Sequence, residues 1–382
     1  AVKTFYIDGK PPAAGEIFRN PDLAKTFRLL AAGGRDAFYK GEIARAIVAK
    51  SDALGGTMTL ADLAGYSGEW VEAAASNYHG YDLFELPPPS QAWGANETLN
   101  ILEACVPKWA PGQTLASLGP RSAKYWHLMV EAKKLAYRDL FAFNGDPNFV
   151  KIPLDRLLSK SYAASLCGRV DPEKASPTGP RTGTDLALGD TIVLSTADPE
   201  GNMVSWVNSN FAGFGSGIAV PGYGIVLHNR GALFTLNPDH PNAIAPHKRP
   251  YNTLSAGFVM KDNRPLMTIL LMGGDMQAQG HVQALVDVLD LGANLQLASD
   301  MARFHHSQVA NNLQMETELY RLVGRDLRAM GHNVQSTNGG VMGGFQSILF
   351  VPRPELAASP GNPGGYYRAG SDHRKDGEAV GW

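Results

Sequence analysis

Apolar residues recur at three- and four-residue intervals through most of residues 20–167, then give way after residue 190 to alternating, β-branched runs. The chain therefore reads as a helix-rich half followed by a sheet-rich half. In NPDLAKTFRLLAAGG the period puts Leu23, Phe27 and Leu30 on one face, with Asp22 in the first turn and Gly33-Gly34 as a stop. The same period predicts helices over 36–49, 95–106, 121–140 and 156–166. LPPPSQAWG (86–94) interrupts it, because three successive prolines forbid helix and impose an extended loop. DPEKASPTGPRTGTDLALGD (171–190) has no apolar face before Leu186 and reads as an exposed linker. Directly after it, runs 191–197 and 203–209 flank the turn Asp198-Pro199-Glu200-Gly201-Asn202, which predicts a hairpin. Further strands are expected over 217–220, 224–228, 255–261, 266–272 and 345–351, and helices over 279–290 and 315–330. No repeat of 20–50 residues is found.

Composition narrows the class. The 382 residues are 44% hydrophobic and 18% charged, which excludes wholesale disorder, and the net charge of −2 gives no reason to expect a nucleic-acid partner. Forty-two glycines and 25 prolines point to many tight turns in a loop-rich α/β or α+β body. No run of 18 apolar residues is present, so no membrane span is expected. The two cysteines, Cys105 and Cys167, are too few for a disulfide framework and are expected as two buried thiols, with a single bridge between them as the alternative; they leave the compartment unassigned.

The chain contains no G-x-S-x-G, H-E-x-x-H or P-loop, and the glycines of GFGSG (213–217) lack dinucleotide spacing. Adjacent His305-His306 would diverge by about 100° on a helix and have no Cys or carboxylate cluster beside them, so they read as helix-end and core histidines. Neither a metal nor a cofactor is implied. Thr191, where the linker meets a strand, would by itself be an ordinary strand hydroxyl.

Thr191 has a different meaning beside the ordered segments NPDLAKTFRLLAAGGRDAFYKGEIARAIV (20–48), GGTMTLADLAGY (55–66), ELPPPSQ (85–91), DTIVLSTADPEGNMVSW (190–206), FGSG (214–217), APHKRPYNTLS (245–255), MGGDMQAQGHVQ (272–283), ARFHH (302–306) and AGSDHRKDGEAVGW (369–382). On these the chain resembles the γ-glutamyltransferase family of N-terminal-nucleophile hydrolases over essentially its whole length. The family's N-terminal glycine-rich segments have no counterpart, so a preceding portion is expected to be missing.

The resemblance implies an αββα sandwich and a precursor that cuts itself at Asp190–Thr191. Residues 1–190 would be the C-terminal part of a large subunit and 191–382 a small catalytic subunit, the two intertwined in one domain. Thr191 would be the nucleophile. A threonine hydroxyl needs a base, and the α-amine freed by cleavage has an ordinary pKa of about 7.7–8.0, so cleavage creates one. Gly273 and Gly274 match the family's oxyanion pair and Ser209 the hydroxyl beside the nucleophile. Asn252 and Thr253 stand where the family places the serines that bind the substrate's α-carboxylate.

One departure bears on substrate. Where the family recognises the glutamyl α-amino group with Asn, Gln and Asp, the corresponding positions are Phe211, Arg230 and Leu233. An ammonium would meet a repelling cation and two apolar groups instead of a carboxylate, whereas an Arg fork suits an acidic acyl group. The pattern is similar to the branch with cephalosporin acylases and oxamate amidohydrolases, which implies a small-molecule amide with an oxamate-, glutaryl- or γ-glutamyl-type acyl group. A homo-oligomer is compatible with it. The other reading is an incomplete or non-catalytic chain of the same fold that acts as a structural or binding protein.

Overall fold

A computed structural model describes residues 2–177, 189–353, 355–356 and 364–382. The chain forms two compact units, one of residues 1–71 and 212–229, the other of 72–211 and 230–382.

The smaller unit is built on the helices Pro21–Tyr39 and Glu42–Asp52. Asn20 caps the first, accepting from Leu23 N–H at 3.0 Å while its amide donates to Gly224 O at 3.0 Å. Ile43, Ile47 and Val220 make its core, with Leu30, Tyr223 and Ile225 against them. The first helix continues beyond the expected stop, because Gly34 takes φ +57° and kinks it rather than ending it. Thr26 is the buried residue of that helix, bonded to Tyr223 O at 2.7 Å, whereas Phe27 is exposed.

In the larger unit the strands are β1 (Ala74–Tyr78), β2 (Tyr81–Glu85), β3 (Gly189–Ala197), β4 (Met203–Ala212), β5 (Ala256–Lys261), β6 (Arg264–Met272), β7 (Gly344–Pro352) and β8 (Gly365–Ser371). The main helices are α1 (Trp93–Trp109), α2 (Ala123–Phe143) and α3 (Met276–Leu289). A six-stranded antiparallel sheet runs β1-β2-β5-β6-β7-β8. Its faces alternate with the pleat. Leu271 points at α3, so close that a Cβ on Gly280 would fall 2.5 Å from Leu271 Cδ1. Thr268, on the other face, meets Ser195 of β3 at 2.9 Å, and Ser205 of β4 donates to Gly257 O at 2.6 Å.

The β3–β4 hairpin thus stacks on the sheet, with helices on the opposite side. Asp198 and Asn202 close its turn through paired backbone and side-chain bonds. Ile192, Leu194, Val204 and Trp206 occupy its outer face and are exposed.

Two expectations need correction. Cys105 and Cys167 form a disulfide with a Cα–Cα separation of 5.1 Å. The helix Lys160–Leu166 runs back along α1 and delivers Cys167 to it, with Trp109 Nε1 donating to Cys167 O at 2.8 Å. His305 and His306 lie on a strand, Phe304–Ser307, not at a helix end. The start of the expected linker, residues 171–177, is exposed or half-exposed as expected, and is also tethered: His127 Nε2 lies 2.9 Å from Asp171 O, Lys134 donates to Ser176 O at 2.8 Å and Ala175 N–H to Met330 O at 2.7 Å. Residues 178–188 of that linker lie outside the described residues.

Candidate active site

Strand β3 carries the chain through the Asp190–Thr191 bond. The side chain of Asp190 lies outside the described residues. Thr191 is 5% exposed. Its Oγ1–H donates to Ser209 Oγ on β4 at 3.0 Å, a cross-hairpin pair on the inward face. Ser209 Oγ also accepts from Phe211 N–H at 2.9 Å. Thr191 Oγ1 in turn accepts from Gln277 Nε2 at 3.4 Å.

Gln277 belongs to the first turn of α3, and the turn before it is Gly273-Gly274. Gly273 has φ +131°, and a Cβ there would lie 3.0 Å from Gly343 Cα; Gly274 has φ +64°. Both angles favour glycine, and at Gly273 the close approach of Gly343 adds to the preference. Gln277 N–H bonds to Gly274 O at 3.3 Å and Gln277 Oε1 accepts from Ser255 N–H at 2.8 Å. A second buried glutamine, Gln91 in the proline loop, donates from Nε2 to Gly274 O at 2.7 Å and to Thr253 O at 2.8 Å, while Tyr251 O–H donates to Gln91 Oε1 at 3.1 Å. The two amides join the glycine turn to segment 253–255 and the latter to Thr191.

Arg230 and Leu233 begin and end a short 3₁₀ turn, both buried. The Arg230 guanidinium stacks over Phe211 and donates to Thr253 Oγ1 at 3.4 Å. Burial pushes its pKa down to about 10, so it stays cationic at neutral pH. Phe211 has φ +82°, strained for a bulky residue and costing on the order of 1–3 kcal/mol. The structure therefore brings Thr191 to Ser209, and Phe211, Arg230 and Thr253 to one another. Asn252 differs: its side-chain oxygen closes a turn on Leu254 N–H at 3.1 Å, and its backbone pairs with Pro89 and Gln91.

A cavity of about 490 Å³ opens beside β3, lined by Thr191–Ser195, Met272, Gln346–Ile348, Ala369, Gly370 and the tail Lys375–Val380. Of the residues expected from sequence to form the site, Thr191 lines it. Beside the glycine turn, His305 Nε2 lies 2.9 Å from Asp275 Oδ1 and Nδ1 lies 3.0 Å from Gln314 Oε1. Burial alone would push His305 down, but Asp275 and the hydrogen bonds outweigh it and its pKa is raised.

Metal-ligand chemistry gathers elsewhere, among buried His127, Glu131 and His332. His127 Nδ1 lies 2.8 Å from His332 Nε2, and Glu131 bonds Lys134 Nζ at 2.8 Å and Ser176 N–H at 3.2 Å. These groups are partnered within the protein, and the Lys134 ammonium opposes a further cation.

Sequence reasoning passed over Gln91 and Gln277. Both stand in the segments ELPPPSQ and MGGDMQAQGHVQ, yet an amide side chain has no spacing signature. Only the folded register shows which atoms it joins.

Two stacked sheets backed by helices, with a threonine at the start of a hairpin strand, define the fold class of N-terminal-nucleophile hydrolases. The fold is that of cephalosporin acylase from Bacillus halodurans, matched with a TM-score of 0.87 and 35% identity over 100% of this chain and 66% of that one. The family model for gamma-glutamyltranspeptidase matches residues 1–382, and the chain belongs to that family. Curated relatives include the glutathione hydrolase-like YwrD proenzyme of Bacillus subtilis, 33% identical over 98% of this chain and 68% of its own length. The oxamate amidohydrolase proenzyme of Klebsiella pneumoniae is 29% identical over 100% and 68%. The chain spans 61–68% of the length of such relatives.

Proposed function

We propose that this chain is an autoprocessing threonine amidohydrolase or acyltransferase acting on an amide of a small acidic acyl group. Cleavage of the Asp190–Thr191 bond frees the Thr191 α-amine. That amine takes the Oγ1 proton as Oγ1 attacks the substrate carbonyl, and the Gly273-Gly274 turn supplies N–H groups to the oxyanion. The acyl ester on Oγ1 is then released to water or an amine.

The observation that carries the reading is the setting of Thr191 Oγ1, nearly buried between a hydroxyl acceptor on Ser209 and an amide donor on Gln277. Strands from both sides of the cut share one sheet, as in β2–β5. The products 1–190 and 191–382 therefore stay together as large and small subunits, each contributing strands to that sheet. Asn252 and Thr253 contribute donors to the substrate's carboxylate side, and Arg230, stacked on Phe211, selects acidic acyl groups. This agrees with the oxamate amidohydrolase and acylase names among the relatives better than with a glutamyl ammonium.

The test is intact mass of the purified chain over time, with Thr191→Ala beside it. Two fragments from the parent chain and one unbroken, inactive chain from the variant support the reading. A parent chain that stays whole on incubation, or a variant that still turns over amides, overturns it.

A further inference from the structure

We propose that Gln277 is a second catalytic residue: its side-chain amide stabilises negative charge on Thr191 Oγ1 during self-cleavage and turnover. This rests on Thr191 being the nucleophile.

The argument starts from the orientation of the amide. Gln277 is fully buried, and one of its two terminal atoms accepts from the backbone N–H of Ser255 at 2.8 Å. An –NH₂ group cannot accept that bond, so the atom facing Ser255 is Oε1 and the atom facing Thr191 is Nε2. The 3.4 Å approach to Oγ1 is therefore a donor aimed at the nucleophile, fixed at its far end by the chain. Its backbone is equally held, in the first turn of α3 with Gln277 N–H on Gly274 O. Ser209 faces the same oxygen as acceptor. Oγ1 thus loses its proton towards one neighbour and meets an N–H of the other as charge develops, a preorganised arrangement that needs no movement.

The steps balance. In self-cleavage Oγ1 bonds to the carbonyl carbon of residue 190 and the C–N bond to residue 191 breaks. The Oγ1 proton passes by way of Ser209 to the departing nitrogen, leaving an ester. Water then hydrolyses the ester and restores the hydroxyl. Oγ1 carries negative charge twice, as attacking atom when its proton leaves and as leaving group when the ester breaks. Gln277 serves both, which distinguishes it from the glycine turn that serves the carbonyl oxygen.

The experiment compares Gln277→Met, similar in length without a donor, and Gln277→Glu, which retains an acceptor for Ser255, against the parent chain. Folding is checked by circular dichroism, and the time course of cleavage at 190–191 is read by gel and mass at several pH values. Gln277→Met is expected to slow cleavage about 10²-fold. Gln277→Glu is expected to be slower still at pH 8, with its deficit shrinking as the pH falls and the buried carboxyl protonates to become a donor again. A merely structural role produces no such pH-dependent recovery. Should Gln277→Met fail to fold, Gln277→Glu carries the test. Cleavage at the parent rate in both variants, or a pH-independent deficit in Gln277→Glu, overturns this inference and leaves the Thr191 reading intact. A parent chain that never cleaves overturns both.

Discussion

The central carbon of the Arg230 guanidinium lies 5.4 Å from the centre of the Phe211 ring. Stacking of this kind holds the planar fork by one face and leaves its orientation fixed, which a lysine at the same position cannot reproduce. Removing the fork should therefore change which acyl groups are accepted more than how fast the bond is broken. We expect Arg230→Leu to lower kcat/KM for oxamate- and glutaryl-type amides about 10–100-fold, mostly through KM, the loss of one charge-assisted hydrogen bond. Neutral acyl amides should be little affected. In the parent chain γ-glutamyl anilides should be the poor members of such a panel; strong γ-glutamyl turnover would place the amino-group pocket elsewhere.

Ser209 Oγ takes the Thr191 hydroxyl proton's hydrogen bond, so its removal leaves that hydroxyl without its cross-hairpin acceptor. Ser209→Ala should slow self-cleavage about 10-fold or more, while Ser209→Thr, which keeps a hydroxyl, should stay close to the parent rate. Time courses on gels separate the two outcomes. Equal rates in all three proteins would remove Ser209 from the reaction.

The disulfide joins residues 62 apart in sequence. Closing a loop of that size restricts the unfolded chain and is worth about 2–4 kcal/mol. Replacing both cysteines by alanine should lower the unfolding free energy by that amount, as read in denaturant titrations. The parent protein in reductant should move the same way, and the double variant should not respond to reductant.

The pair His305–Asp275 makes stability depend on pH. The folded pKa of His305 lies above its ordinary 6.5, so the folded state holds the proton more tightly than the unfolded chain. Its contribution is fully present below about 6.5 and is lost as pH rises through the raised folded value. Melting temperatures of the parent and His305→Gln should therefore differ most near pH 6 and converge at alkaline pH. A difference that grows with pH would contradict the sign.

Much of this architecture could be read from local chemistry. The hairpin 191–209 was legible because Asp198 and Asn202 bracket a glycine turn between alternating runs, and Gly273-Gly274 stood out as a break after an apolar strand. The small strands were not. Phe304–Ser307 carries two histidines and a serine, with no β-branched signal, and takes its form from pairing with Asn312–Glu316. The bridge between Cys105 and Cys167 was equally hidden, since it depends on how the helix Lys160–Leu166 returns along α1. The side-chain hydrogen-bonding partners of Gln91, 160 or more residues away, lie beyond any local pattern.

Gly273 offers the sharpest test of the proposed oxyanion turn. Its φ of +131° is closed to residues with side chains, and an added Cβ would meet Gly343 Cα at 3.0 Å and Met276 Cβ at 3.3 Å. Two of these three obstacles are backbone features, which yield less readily than the end of a flexible side chain. Gly273→Ala should thus rotate the peptide and turn its N–H away from the oxyanion position, lowering kcat about 10²–10³-fold. The same strain should reduce stability by about 1–3 kcal/mol. The two effects can be told apart. Gly343 approaches Gly273 from outside the proposed chemistry, so alanine at Gly343, itself at φ +70° and 2.2 Å from Met272 O when given a Cβ, should destabilise comparably. If both variants lose stability but only Gly273→Ala loses activity in its folded fraction, the N–H of the turn is the catalytic element. Equal loss of activity in the folded fractions would reduce Gly273 to a packing role.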